Sequence, residues 1–301
     1  MSKLDCLTLV EQAQSELFGP KRAVWLERLE QEYDQLRATL GQLLDSGEAV
    51  QGLRLAAGLR EFWLSTGRID EGRDWLRAFL ALPEAKAQTT IRARALDVAG
   101  VLADWQSDRD MTGALMQEAL AIRRELDDKQ GIALSLIHVG QYKWMLESNY
   151  TAARMLFEES LAICRELDSK IGIAYVRLNL GHLALEQGEY SVAYPLLKEG
   201  LAILRDAEDL WAINFALDSL AGIAAGQGQS ERALRLAGAS EALRESVGIL
   251  LFPVWQAWVE RLLEPAREML DEEGCAVAWA EGRAMNLERA VAFALDESLG
   301  T

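Results

Sequence analysis

The chain has 301 residues, half of them apolar and about a quarter charged, with 47 acidic against 31 basic side chains and a formal charge of −16. That balance excludes a disordered chain, because ample apolar surface is available to bury. It also excludes a phosphate-binding surface, which needs clustered Lys and Arg, so no direct contact with nucleic acid is expected. The three cysteines, Cys6, Cys164 and Cys275, are scattered without CxxC spacing, which fits a reducing compartment. With no signal-length apolar stretch and no apolar run of about 18 residues, a cytoplasmic protein without membrane contact is expected. The acidity reads as a solvated surface or as a groove that attracts a basic peptide.

Prolines number only five, and Ala, Leu, Glu and Arg dominate, so the chain reads as all-α. A first amphipathic helix runs from about Lys3 to Leu17 and stops at Gly19-Pro20. One long helix is then expected from Lys21 to Gly47. Its apolar positions Val24, Trp25, Leu29, Tyr33, Leu36 and Leu40 step by threes and fours onto one face. Residues 1–47 are therefore read as N-terminal capping helices.

Repeats begin at Glu48. Small residues at Gly72, Thr112, Ala153, Ala193 and Ala233 recur at intervals of 40 or 41. Four residues after each comes a packing residue: Leu76, Met116, Phe157, Leu197 or Ala237. Three further on lies Phe79, Ala119, Ser160, Gly200 or Ser240. Gly67, Gly188 and Gly228 each fall five residues before the register position, marking a turn inside a helix pair. Self-similarity with a period of about 20–50 residues is the signature of a solenoid, in which stacked pairs build one continuous core. The span Lys129–Leu204 holds the two best-formed of five copies, and 48–249 reads as the repeat array. The remainder, 250–301, reads as a C-terminal helical cap over the final repeat. Within it Pro253 opens a helix with Trp255, Trp258, Leu262 and Leu263. Pro265 is expected to kink or split that helix and Gly274 to break the chain again. Asn286 is expected to cap a last helix, Leu287 to Leu295.

Leu180-Gly181 with Tyr190, Ala193 and Leu197, and Val139-Gly140 with Tyr150, Ala153 and Phe157 one copy earlier, resemble the tetratricopeptide repeat. The resemblance covers roughly residues 48–247, with a longer period than that family's usual ~34 residues. It implies a right-handed superhelical solenoid whose first helices line a concave face and bind a protein or peptide without catalysis. A second resemblance is carried by WLERLEQEYDQLRATL from Trp25, LRLAAGLREFWLSTGRIDEGRDWLRAFLAL from Leu53 and CAVAWAEGRAMNLERAVAFALD from Cys275. These are similar to segments of bacterial signal-transduction ATPases of the NB-ARC and LuxR-associated type, which carry a helical-repeat sensor after the ATPase module. That resemblance implies a sensor region of a transcriptional or signalling regulator, with an attached or separate ATPase module and a protein, peptide or small effector as ligand.

Motifs for chemistry are missing. The chain contains no GxxxxGK[ST], GxSxG or HExxH pattern, so neither an enzyme nor a cofactor is expected. His138 and His182 are its two histidines, and no ligand spacing supports a metal. Trp63, Trp105, Trp144 and Trp211 fall on first helices, where they either fill inter-helix gaps or line an aromatic groove. The candidate groove residues are Trp63, Arg94, Asp97, Asp104, Trp105, His138, Gln141, Trp144, Asn179, His182, Glu186 and Asp218. The set does not resemble a Lys/Asn/Arg carboxylate clamp, since Ile137 and Leu178 stand where such a clamp would want polar groups. The expected function is a non-catalytic interaction or sensor scaffold. The alternative is an assembly scaffold or self-associating module with no effector.

Overall fold

A computed structural model describes residues 2–296, and these form 17 α-helices and one 3-10 turn, with no strand among the described residues. The chain divides into two units, Met1–Leu167 and Asp168–Thr301.

In the first unit, Ser2 and Asp5 close a reciprocal capping box on α1 (Lys3–Glu16), satisfying two donors that a helix start leaves open. The expected single helix from Lys21 is instead two, α2 (Arg22–Gln31) and α3 (Tyr33–Asp45), with Glu32 off helical geometry between them. The bend turns Leu29 on one side and Tyr33, Leu36 and Leu40 on the other into the same core. A similar break at Leu59 divides the first helix of the opening repeat into α4 (Ala49–Gly58) and α5 (Arg60–Ser65). Arg22 ties the two bent segments together. Its guanidinium lies 3.2 Å from Glu61 and donates to the Leu17 carbonyl and to Ser65.

Helix α6 (Ile69–Ala81) and a 3-10 turn at Pro83–Lys86 follow. Two regular pairs complete the unit: α7 (Thr90–Trp105) with α8 (Arg109–Glu125), and α9 (Lys129–Met145) with α10 (Tyr150–Glu166). The register positions read from the sequence are all buried here and in the second unit: Thr112, Ala153, Ala193 and Ala233, with Met116, Phe157, Leu197 and Ala237 a turn later. Opposite them the first helices carry glycine, so Gly140 takes the Phe157 ring and Gly100 the Met116 side chain. Small residues allow this close approach of paired helices.

Turns recur as regularly as the core. Gly67, Gly188 and Gly228 have φ of +69°, +72° and +75°, as a left-handed helix end requires. At the equivalent turns Ser107 and Ser148 hold φ of 58° and 53° with a Cβ attached, a conformation that costs about 1–2 kcal/mol. Ser148→Gly is therefore expected to stabilise the protein by roughly 1 kcal/mol, read as a higher urea midpoint with an unchanged slope.

The second unit holds α11 (Lys170–Glu186) paired with α12 (Tyr190–Asp206), and α13 (Leu210–Gly226) paired with α14 (Ser230–Val247). Three further helices follow, α15 (Pro253–Glu268), α16 (Glu272–Arg283) and α17 (Leu287–Leu295). Pro265 does not split α15, which continues through it as one helix. Gly274 does not break the chain either. The break falls just before it, where the Asp271 side chain caps α16 by accepting from the Gly274 N–H at 2.8 Å. Asn286 caps α17 in the same way, as the sequence leads one to expect.

Helix α16 packs on α14 with almost no side chain between them. A Cβ on Gly238 would collide with the Trp279 carbonyl, and one on Gly282 with the Arg235 carbonyl. Helix α13 is buried on nearly every side, from Ala212 to Ala225 without interruption, which is expected of a helix enclosed by neighbours.

Candidate ligand-binding face of the first helices

Where Gly100, Gly140 and Gly181 back onto their second helices, the adjoining flank of each first helix is left to face elsewhere. In the first unit that flank is a ridge formed by Arg94, Val101 and Trp105 on α7 and by Leu134, His138 and Gln141 on α9. Arg94 and Leu134 are exposed and the other four are half-buried. Leu134 leaves 46% of its surface accessible.

Beneath the ridge lies an ion pair. Asp97, buried on α7, is 2.5 Å from Arg123 Nη1 on α8, and the same guanidinium donates to the Ser135 hydroxyl and the Gly131 carbonyl. His138 Nδ1 stands 3.6 Å from the other Asp97 oxygen. Asp97 and His138, both expected in a groove, thus come together, but Asp97 works as an internal charge that holds three helices in register.

Asp104, one residue before Trp105 and in the last turn of α7, has no such support. Its Oδ1 is enclosed and accepts no hydrogen bond from the protein. Burial pushes its carboxyl from 3.8 up to about 6. The register-equivalent positions in the other repeats hold Trp144, Leu185 and Ala225, all buried. A carboxylate therefore sits where the repeat otherwise places an apolar group. Because the folded value exceeds the unfolded one, the associated stability is present below about pH 3.8 and is lost as pH rises through about 6. Asp104→Asn is expected to stabilise the first unit by about 2 kcal/mol at pH 7.5 and by almost nothing at pH 3. Paired denaturation curves at the two pH values check it.

Trp63 and Trp144 are not on the ridge. Trp63 is 0% exposed, donates Nε1–H to the Ala56 carbonyl at 3.1 Å and packs edge-on against Tyr33 and Phe62. Trp144 is buried on α9.

The second unit has the same ridge in a different state. Its positions are Tyr175, Asn179, His182 and Glu186 on α11, then Phe215, Ser219 and Gly222 on α13. Asn179, His182, Ser219 and Gly222 are buried, and Asn179 donates to the Tyr175 carbonyl. What covers this ridge is α15. The Trp255 ring lies 4.7 Å from Phe215 and 5.0 Å from His182, and Trp258 is 5.9 Å from His182. Leu262 fills the space above Gly222, where a Cβ would come within 2.8 Å of it.

Polar contacts match the apolar ones. Trp255 Nε1–H donates to Asp218 at 3.0 Å, while Trp258 Nε1–H and the Arg261 guanidinium both donate to Glu186 at 2.6 Å. Burial pushes the Asp218 carboxyl up, against the pull of Arg244 and the hydrogen bonds from Ser240 and Trp255. Burial also drives the His182 imidazole down to about 3, so it is neutral near pH 7. His182, Glu186 and Asp218 are thus brought together as the floor beneath a helix of the same chain.

Two features went unread in the sequence. Asp218 and Arg244 repeat the Asp97–Arg123 arrangement, with the arginine 26 residues after the aspartate in each case. The identical spacing was a legible signal. The seating of Trp255 and Trp258 on the ridge had no such signal, since tryptophans on an amphipathic helix say that it is covered but not by what.

Among the described residues no group of three or more His, Cys, Asp or Glu could hold a metal ion, and no helix is long and apolar enough to cross a membrane. The arrangement defines a class: a scaffold of stacked helix pairs. Comparison with known proteins agrees with that class. Residues 145–206 match the family model of the tetratricopeptide repeat. The chain resembles the crystal structure of a Rap protein complexed with Competence and Sporulation Factor, with a TM-score of 0.58 at 14% identity over 97% of this chain and 100% of that one. It also resembles the APC/C hetero-tetramer Cut9–Hcn1 (TM-score 0.53, 12% identity, 93% and 52% covered). A third similar structure is BtubC from P. vanneervenii (TM-score 0.51, 16% identity, 83% and 94% covered). The family match is confined to residues 145–206, and the neighbours show the fold, a helical solenoid of tetratricopeptide-like helix pairs.

In sequence, 120 residues are 29% identical to proteins named as HTH-type transcriptional regulators of Mycobacterium bovis and Mycobacterium tuberculosis. The match takes in 38% of this chain and only 14% of each regulator.

Proposed function

We propose that this chain is the non-catalytic sensor and interaction region of a bacterial regulator, and that the α7/α9 ridge is where it holds a protein or peptide segment. One observation carries the reading. The ridge of the second unit is occupied by an amphipathic helix, which supports this kind of ligand, while Arg94 and Leu134 of the equivalent ridge in the first unit are exposed. Leu134 offers an apolar anchor there, and the unpaired Asp104 carboxylate beside Trp105 favours a ligand that brings a cation.

The partial match to HTH-type regulators supports the regulatory setting, and the Rap neighbour complexed with Competence and Sporulation Factor supports a bound partner. In this reading residues 1–47 and 250–301 flank a repeat array at 48–249. The ligand state is relayed to an ATPase or DNA-binding module, and the protein works in the cytoplasm. A small effector is a further candidate for the same ridge.

The test is a display library of random peptides selected on the wild-type chain and counter-selected on Leu134→Asp, with folding of the variant checked by circular dichroism. The reading expects enriched peptides with an apolar anchor and a nearby basic residue, bound at least roughly tenfold more weakly by the variant, a loss of about 1.4 kcal/mol. Equal binding to both chains would remove the ridge from the account.

A further inference from the structure

Helix α16 closes the α14 surface through the backbone approach at Gly238 and Gly282, and Arg232 anchors the end of α17 by donating to the Phe293 carbonyl. Helix α15 packs on α13 and less closely on α14, reaches α11 through Trp258 and Arg261, and buries a single stripe, Trp255, Trp258, Leu263 and Ala266. It follows a left-handed Gly248 and four residues without regular structure, has no side-chain cap at its start, and contains Pro265, which removes a backbone donor. On the corresponding ridge of the first unit Arg94 and Leu134 are exposed, so no helix lies over them.

We propose that α15 is a displaceable strap closing a helix-accepting ridge on α11 and α13, and that the partner this surface fits is an amphipathic helix carrying the α15 pattern. That pattern is an N–H-bearing aromatic ring, a second three residues later, and a guanidinium three further on, as in Trp255, Trp258 and Arg261. The two carboxylates fix the chemistry. Asp218 and Glu186 each accept from an indole N–H, and Glu186 also from the guanidinium, so a helix without those donors would leave them desolvated and short of a partner. The apolar complement comes from Phe215 and from the hollow over Gly222. In the closed state the chain presents this pattern to itself. Release of α15 uncovers the ridge and the tryptophan stripe together, two matching surfaces for another chain.

Hydrogen exchange on the full-length chain tests the strap. The amides of α15 are expected to exchange at least roughly tenfold faster than those of α13, because the strap opens without unfolding the stack. In the double variant Trp255→Phe/Trp258→Phe, which keeps the rings but loses both donors, α15 exchange rises by about a further tenfold while α7–α10 are unchanged. A labelled peptide of residues 250–270 then binds this variant roughly tenfold more tightly than the wild type. If the double variant fails to fold, Glu186→Gln at the half-exposed end of the contact takes its place. Exchange of α15 in step with α13, or no peptide binding to the folded variant, overturns the proposal.

Discussion

Arg123→Met is expected to lower the stability of the first unit by about 3–5 kcal/mol, because it strands the buried Asp97 carboxylate without its cation. The structure gives the reason. Both side chains are almost wholly enclosed, at 5% and 4% exposure, and the guanidinium also holds Ser135 and the Gly131 carbonyl. The repeat itself supplies the control. The positions equivalent to Asp97 and Arg123 hold Ile137 and Cys164 one copy later, then Leu178 and Leu204, and all four are buried. An apolar pair therefore fits this niche. Asp97→Ile/Arg123→Cys is expected to recover all but about 1 kcal/mol of the loss. Urea titrations of the wild type, Asp97→Ile, Arg123→Cys and the double variant complete the cycle, with Arg123→Met measured beside them. A cost below about 1 kcal/mol for Arg123→Met would mean that the pair is not buried as described.

The second large effect is expected at Trp63→Ala, about 3–5 kcal/mol. Trp63 fills the junction where the bent N-terminal helices meet the first repeat. It touches Tyr33 and Phe62, lies against Gly72 and donates a hydrogen bond to Ala56. Alanine leaves a cavity and removes one of the two hydrogen bonds that the Ala56 carbonyl accepts. Trp63→Phe retains most of the packing and loses the donor, so about 1–2 kcal/mol is expected there. Because the indole is enclosed, ridge binding by a folded Trp63→Phe chain is expected to be unchanged. Thermal melts and the peptide-binding assay separate the two roles.

The repeat could be read from sequence because the array is held by local rules applied over and over. A small residue at Ala153 or Ala193, its packing partner Phe157 or Leu197, and a left-handed turn at Gly188 recur at nearly constant spacing. The helix break at Glu32 was not legible, since neither glycine nor proline stands there, whereas the break at Leu59 follows Gly58, a signal masked by the continuing apolar period. They arise from tertiary packing around Phe62 and Trp63. Pro265 misled in the opposite direction. A proline late in a helix removes one hydrogen bond, and near an end that loss is tolerable.

The candidate site was partly legible. Helical spacing placed Arg94, Trp105, His138, Gln141, His182 and Glu186 on one ridge of successive first helices. It could not separate ridge from interior for Asp97, three residues after Arg94, or for Asp218, next to Ser219, both of which turn toward a second helix. Nor could it show that one ridge is open and the other covered, because that depends on where a helix from much later in the chain comes to rest.

The difference between the two ridges is the centre of the account, and hydroxyl-radical footprinting of the native chain tests it most directly. Trp105 and Leu134 in the first unit are expected to oxidise several-fold faster than Trp255, Trp258 and His182 in the second, which are 2%, 6% and 5% exposed. Equal oxidation of Trp255 and Trp105 would contradict it, because α15 would then not lie on the ridge in solution.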